Sequence, residues 1–92
     1  MRKTITFVHE GRDYQVKVER DTSFIDGVDC YVYEYFPERK IFKRNYLGRR
    51  FYAMTLITSV EDAAKTALAE FIKIRKDAEE AERKWREFAD VH

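Results

Sequence analysis

The chain contains few of the residues from which recognisable catalytic and metal sites are built. Its 92 residues include one cysteine, one proline, three glycines and two histidines. A lone cysteine, Cys30, excludes an internal disulfide and gives no support to a secreted, disulfide-stabilised fold. The glycines form neither a phosphate-binding loop nor a dinucleotide-binding fingerprint, and the histidines lack metal-ligand spacing. The sequence therefore predicts no metal and no cofactor.

Long apolar runs are also missing. No stretch reaches the 18 or so apolar residues that a membrane-spanning helix needs, and the N-terminal residues 1–4 lack the apolar core of a signal peptide. We therefore expect a cytoplasmic protein with no membrane partner, in the host cytoplasm if the gene is carried by a phage. The length predicts a single domain over residues 1–92.

Residues for catalysis are sparse. His9 and Cys30 could in principle form an activated thiol, but a single cysteine on a strand is more often a small buried apolar residue. Glu34 has no second carboxylate nearby in a recognisable acid–base pattern. The sequence predicts a non-enzymatic protein with no catalytic residues.

The first third of the chain has the pattern of β-strands. Residues 3–19 predict a hairpin that turns at 10–13, because its second half alternates Tyr14, Val16 and Val18 with polar residues. Residues 30–36 predict a third strand that ends at Pro37, which has no N–H for a sheet ladder.

The region after Pro37 has two interpretations. Residues 40–46 and 50–57 can form a fourth and a fifth strand separated at Gly48, or residues 37–49 can be one irregular loop followed by a single strand. Either way the expected fold class is α+β, an antiparallel sheet of four to five strands followed by one long C-terminal helix packed on one face.

The last third predicts that helix, over residues 59–90. Thr58 or Ser59 can cap it, and apolar residues then recur at spacings of four and three from Val60 to Phe88. A helix of this length spans about 46 Å, whereas a sheet of short strands spans about 20–25 Å. We therefore expect the helix to extend beyond the sheet.

Positive charge is concentrated in the middle of the chain. Residues 39–58 contain six Lys or Arg and no acid, while the whole chain has a net charge of +1. From Tyr31 to Tyr52, aromatic residues that include Tyr33 and Tyr35 are interleaved with these cations. The combination is typical of nucleic-acid binding because cations neutralise phosphates and rings stack on unpaired bases. The competing interpretation is that the aromatics form the core and the cations are ordinary solvated residues. The predicted nucleic-acid or partner-binding residues are Arg39, Lys40, Lys43, Arg44, Tyr46, Arg49, Arg50 and Tyr52.

Two resemblances in outline accompany this pattern. Over about 31–72, the Tyr33–Tyr35 strand, the run Arg49-Arg50-Phe51-Tyr52 and the helix start Glu61-Asp62-Ala63-Ala64 resemble the arm-site-binding domains of phage-type integrases. That resemblance shares no specific motif, and it implies a sheet that enters the major groove of DNA. The small size and segregated charge also resemble phage-encoded inhibitors of bacterial defence, including anti-CRISPR proteins.

The second half of the helix carries a separate prediction. Ala78, Ala81, Trp85 and Phe88 continue the apolar stripe beyond the expected sheet. They either fold over a sheet edge or the 20–29 loop, or form a protein interface in which the alanines allow close approach and the aromatics anchor.

Three functional hypotheses follow. The first is a non-enzymatic protein that contacts nucleic acid or a nucleoprotein complex through residues 39–52. The second is a small inhibitor that docks on a nucleic-acid enzyme or defence complex. The third is a structural homodimer formed through the C-terminal helix.

Overall fold

The computed structural model describes residues 2–91, and it confirms the α+β fold. Four antiparallel strands lie side by side in chain order, and one helix packs across one face of the sheet. The elements are β1 (Arg2–His9), β2 (Arg12–Asp21), β3 (Gly27–Tyr35), β4 (Arg44–Ala53), a 3₁₀ turn (Met54–Leu56) and α1 (Val60–Val91). Within this described range no helix is apolar over enough of its length to cross a membrane.

The β1–β2 connection is a two-residue turn. Glu10 and Gly11 both have positive φ, 50° and 76°, and His9 pairs directly with Arg12. Positive φ at both central residues defines the type I′ turn, whose twist matches that of the flanking strands. The predicted N-terminal hairpin is confirmed.

The core lies between the two central strands and the first half of the helix. Alternate residues of β2 and β3 point to the helix, so that small apolar side chains pair across the strands, as Val16 does with Val32 and Val18 with Cys30. The buried apolar residues are Tyr14, Val16, Val18, Val28, Cys30, Val32, Ala63, Ala64, Ala67 and Leu68. The helix presents small residues at its closest approach, and therefore lies tightly on the sheet.

The observed structure of residues 36–53 combines features of the two predicted alternatives. Residues 36–43 form a loop, and one strand then runs through Gly48, where we expected a break. The strand passes this point with a register shift opposite Val32 and Tyr33, since Val32 pairs with Gly48 while Tyr33 pairs with Tyr46. Leu47 is the extra residue of this β-bulge. A Cβ atom at position 48 would overlap the Phe71 ring, so glycine allows the helix to seat this ring on the strand.

The helix begins where its capping residues predict. The Asp62 amide donates to the Ser59 hydroxyl at 3.1 Å, and the Thr58 hydroxyl donates to the Asp62 carboxylate. The last ion pairs between helix and sheet are Arg75–Glu34, at 2.9 Å, and Lys76–Glu10, at 3.1 Å. Residues 76–90 are all exposed. The predicted extension beyond the sheet is confirmed, and we call residues 77–91 the overhang.

Candidate functional site

The face of the sheet opposite the helix, which we call the open face, carries a group of rings and cations. On β3 and β4 this group includes Tyr31, Tyr33, Arg44, Tyr46 and Arg49, and Lys17 joins it from β2. These positions share one face because side chains alternate along each strand. The bulge shifts this alternation by one residue in β4, so that Tyr46, which pairs with Tyr33, points to the same face as Arg49.

Two clusters make up this group. In the first, the Lys17 ammonium lies 5.3 Å and the Arg49 guanidinium 6.0 Å from the centre of the Tyr31 ring. In the second, the Arg44 guanidinium lies 4.6 Å from the centre of the Tyr33 ring, and the Tyr46 ring lies 5.5 Å from it at 55°. All three cation–ring distances fall within the range of cation–π attraction.

The two clusters lie next to one another, because Tyr31 and Tyr33 are two residues apart on the same side of β3. That spacing corresponds to about 7 Å along the strand. Tyr46 keeps 53% of its surface exposed, and Arg44 and Arg49 are also exposed. The open face therefore offers ring surface and guanidinium groups together to solvent.

Asp29 lies at one end of this group, where its carboxyl group contacts Arg49. Its side chain is buried, and burial raises the pKa of its carboxyl group, an effect that the nearby Arg49 charge opposes. The Arg49 Nε atom lies 3.3 Å from Asp29 Oδ1. Arg49 is thus held over β3 by a carboxylate and a ring, but its exposed side leaves it available to a second anion.

The structure separates Arg50 and Tyr52 from the other predicted residues. Both lie on the helix side of β4. The Arg50 Nε atom donates to Glu70 at 2.8 Å, and its guanidinium lies 4.5 Å from the centre of the Phe71 ring. Tyr52 packs against the core, and burial, followed by the Glu70 charge, raises its pKa to about 12. These contacts give Arg50 and Tyr52 a role in packing the helix on the sheet.

Three predicted cations lie in the loop between β3 and β4. Arg39, Lys40 and Lys43 are all exposed there. The Phe36 amide closes the loop by donating to the Lys43 carbonyl at 2.7 Å, and the Arg39 guanidinium lies 3.8 Å from the centre of the Phe36 ring. The loop adds positive charge at the end of the sheet where Arg44 begins β4.

The structure adds Tyr31, Tyr33 and Lys17 to the residues predicted from sequence. The alternation of residues along β3 is a sequence signal that places the two tyrosines. Val28, Cys30 and Val32 match the small apolar residues of β2, so the tyrosines between them must point to the other face. The interpretation of these β3 tyrosines as core residues is therefore wrong.

The four predicted interface residues of the helix lie on the overhang. Ala78, Ala81, Trp85 and Phe88 are exposed, and the Trp85 and Phe88 rings stack with centres 5.5 Å apart. The interpretation in which they fold over a sheet edge or the 20–29 loop is wrong. The reason is that the described sheet ends near Arg75 and Lys76, which pair with Glu34 and Glu10, so these four residues extend past its edge.

The described residues show no cluster of three or more His, Cys, Asp or Glu side chains that could hold a metal ion. Cys30 is buried, and burial, reinforced by the Asp29 charge, raises the pKa of its thiol to about 11. The thiol is therefore protonated at neutral pH, which does not suit a nucleophile.

Comparison of the chain with protein-family models, curated proteins and solved structures finds no match in any of the three. The resemblances in outline to integrase arm-site domains and to phage-encoded inhibitors stay predictions from sequence.

Proposed function

We propose that the open face binds single-stranded nucleic acid without strong sequence preference. Two adjacent clusters of tyrosine and basic residues on one exposed sheet surface support this proposal. Proteins that bind single strands combine rings on which bases stack with cations that follow the backbone. In this chain Tyr46, Tyr33 and Tyr31 supply the rings.

The cations divide into two groups by position. Arg44 and Arg49 lie beside the rings, within reach of a backbone whose bases stack on Tyr33 and Tyr46. Arg39, Lys40 and Lys43 lie in the loop at the end of the sheet and extend the positive surface along the same direction. The acidic side chains Asp13, Glu19 and Asp21 of β2 bound this surface on its other side.

A ribbon in a duplex groove is a weaker fit to the same residues. Groove binding depends on side chains that reach base edges as hydrogen-bond donors and acceptors. The open face at β3 and β4 instead offers ring faces, which need unpaired bases to stack upon. Single strands are therefore the better match.

Neighbouring arginines provide a matched test. Arg49 lies on the open face, whereas Arg50 is turned to the helix and contacts Glu70. Binding of a labelled 15-nucleotide single strand, DNA or RNA, is measured by fluorescence anisotropy over a salt series. Arg49→Gln is expected to weaken binding and to reduce the log–log salt slope by about 0.7, the contribution of one phosphate contact on a single strand.

Arg50→Gln is the control. It keeps the salt slope of the unmodified protein and lowers the free energy of unfolding by about 1 kcal/mol, since it loses a partly exposed ion pair and a ring contact. Tyr46→Ala is expected to weaken binding by about tenfold, because base stacking contributes about 1–3 kcal/mol.

Three outcomes contradict the proposal. These are the absence of binding at 50 mM salt, equal effects of the two arginine substitutions, and tighter binding of a duplex of the same sequence. The last result would favour the groove-binding interpretation.

A protein-docking function is the second candidate, and the tip of the β3–β4 loop favours it. Ile41 and Phe42 are exposed there, with Phe42 82% accessible and at a positive φ of 52°. Exposed apolar residues between Lys40 and Lys43 resemble the anchors of a protein interface with a basic rim. An inhibitor that docks on an acidic protein surface would use this tip. Loss of target binding in Phe42→Ala, with unchanged oligonucleotide binding, would assign the two surfaces to different partners.

A further inference from the structure

An apolar stripe that is largely exposed runs from Ile74 into the overhang. Ile74 is 51% and Trp85 is 65% accessible. The stripe repeats every seven residues, and such a stripe turns by about 20° per heptad around a straight helix. Over the two heptads from Ala64 to Ala78 this turn is only about 40°, so Ala78 still lies near the sheet side of the helix, beside Arg75 and Glu79. It is exposed because the described sheet ends before it.

We propose that a second copy of this chain covers the stripe, with the two overhangs packed antiparallel. In the register that we assign, Ala78 lies opposite the partner's Ala81, and Ile74 lies opposite the partner's Trp85. The two-fold symmetry repeats each of these two pairs, so the interface contains four layers of paired side chains. Alanine against alanine in the centre allows the two helices to approach closely, and the bulkier side chains fill the layers on either side.

Charge complementarity identifies the second copy and fixes the register. Four charged residues flank the stripe, with Asp77 and Lys84 on one side and Arg75 and Glu82 on the other. Residues at these positions form the ion pairs that set the partner and the orientation of paired helices. In the proposed register Asp77 lies beside the partner's Lys84, which makes two attractive pairs. Arg75, which also contacts Glu34 of its own sheet at 2.9 Å, lies beside the partner's Glu82 in two more.

Neighbouring registers place like charges together. A shift of one heptad toward the C-terminus puts Lys84 beside the partner's Lys84 and Glu82 beside the partner's Glu82. The opposite shift puts Asp77 beside the partner's Asp77 and Arg75 beside the partner's Arg75. Parallel helices in register would place Asp77 beside the partner's Glu82. The proposed register therefore has opposite charges at all four pairs, which these three alternatives lack.

The interface is small. The apolar stripe from residue 74 to residue 88 is about 21 Å long, and its main anchor is Trp85 of each copy. An interface of this size lies at the low end of specific protein contacts, so we expect a weak dimer that depends on concentration. The inference is independent of the proposed nucleic-acid binding, because the two surfaces share no residue.

A charge-swap experiment tests both the partner and the register. Sedimentation equilibrium is measured at 50 mM salt up to about 1 mM protein for the unmodified chain, Asp77→Lys, Lys84→Asp and the double variant. Each single change turns two attractive pairs into two repulsive ones and is expected to raise the dissociation constant at least about tenfold. The double variant restores opposite charges and is expected to regain the original dissociation constant.

Two controls separate this result from general effects of charge or folding. Arg83→Glu changes a charge on the helix surface farthest from the stripe and is expected to leave the dissociation constant unchanged. Trp85→Ala is expected to abolish the dimer, and circular dichroism checks that each variant keeps its helix content.

A monomer throughout the concentration range overturns the proposal and leaves the stripe to a different protein. A dimer that all three charge variants preserve overturns the register. A double variant as weak as the single variants does the same.

Discussion

The Gly48→Ala substitution adds one methyl group at the point where the helix crosses β4. That methyl group would occupy the space of the Phe71 ring, which lies against the glycine. Overpacking a filled site costs about 1–3 kcal/mol, a large part of the roughly 5–14 kcal/mol expected for a domain of this length. We expect the substitution to lower the free energy of unfolding by about 2 kcal/mol in urea, with an unchanged dependence on urea concentration.

A double-mutant cycle with Phe71→Leu shows whether the ring is the cause. The shorter side chain removes the aromatic atoms nearest to position 48, so Gly48→Ala should cost less in that background, and the cost that remains is the strain of alanine at a φ of 158°. Gly11→Ala is the matched control, because Gly11 also has a positive φ but has no atom within 4 Å of an added Cβ. Costs of Gly48→Ala and Phe71→Leu that add within about 0.5 kcal/mol would show that the Phe71 ring does not occupy the space beside Gly48.

Two further predictions concern the core and the overhang. The pKa of Cys30 is raised to about 11 and that of Tyr52 to about 12. Their contribution to stability is therefore fully present below about pH 9 and is lost as pH rises through 11 and 12, which urea unfolding between pH 7 and 12 measures. Cys30→Ala should remove the pH 9–11 part of that loss, and a curve identical to that of the unmodified protein would contradict the assignment. Ending the chain after Glu79 should lower the free energy of unfolding by less than about 1 kcal/mol, because residues 80–90 are all exposed. Loss of the cooperative transition in that variant would show that the overhang belongs to the core.

Much of the fold could be predicted because its signals are local. The alternation in β2 identifies the buried face of that strand, and the Ser59 cap with the following apolar repeat identifies the start of α1. The prediction that the helix extends beyond the sheet needed only the two rises per residue, 1.5 Å and about 3.3 Å.

The faces of β4 could not be predicted, because they depend on a bulge. Alternation without a bulge would place Leu47 on the same face as Arg49, and Tyr46 on the opposite face. The extra residue reverses the phase, so that Tyr46 joins Arg49 on the open face. The separation of Arg49 from Arg50 also rests on pairing with β3, and charge alone cannot distinguish two adjacent arginines.

The bulge also affects the edge of the sheet. β4 is an outer strand, and an outer strand presents a row of backbone N–H and C=O groups that can pair with a strand of another molecule. At Leu47 and Gly48 that row is interrupted and the strand bends, and Arg44 and Arg49 add positive charge on either side. A foreign strand could therefore pair with only a short part of β4. We therefore expect the irregularity that brings Tyr46 to the open face also to limit strand pairing at this edge.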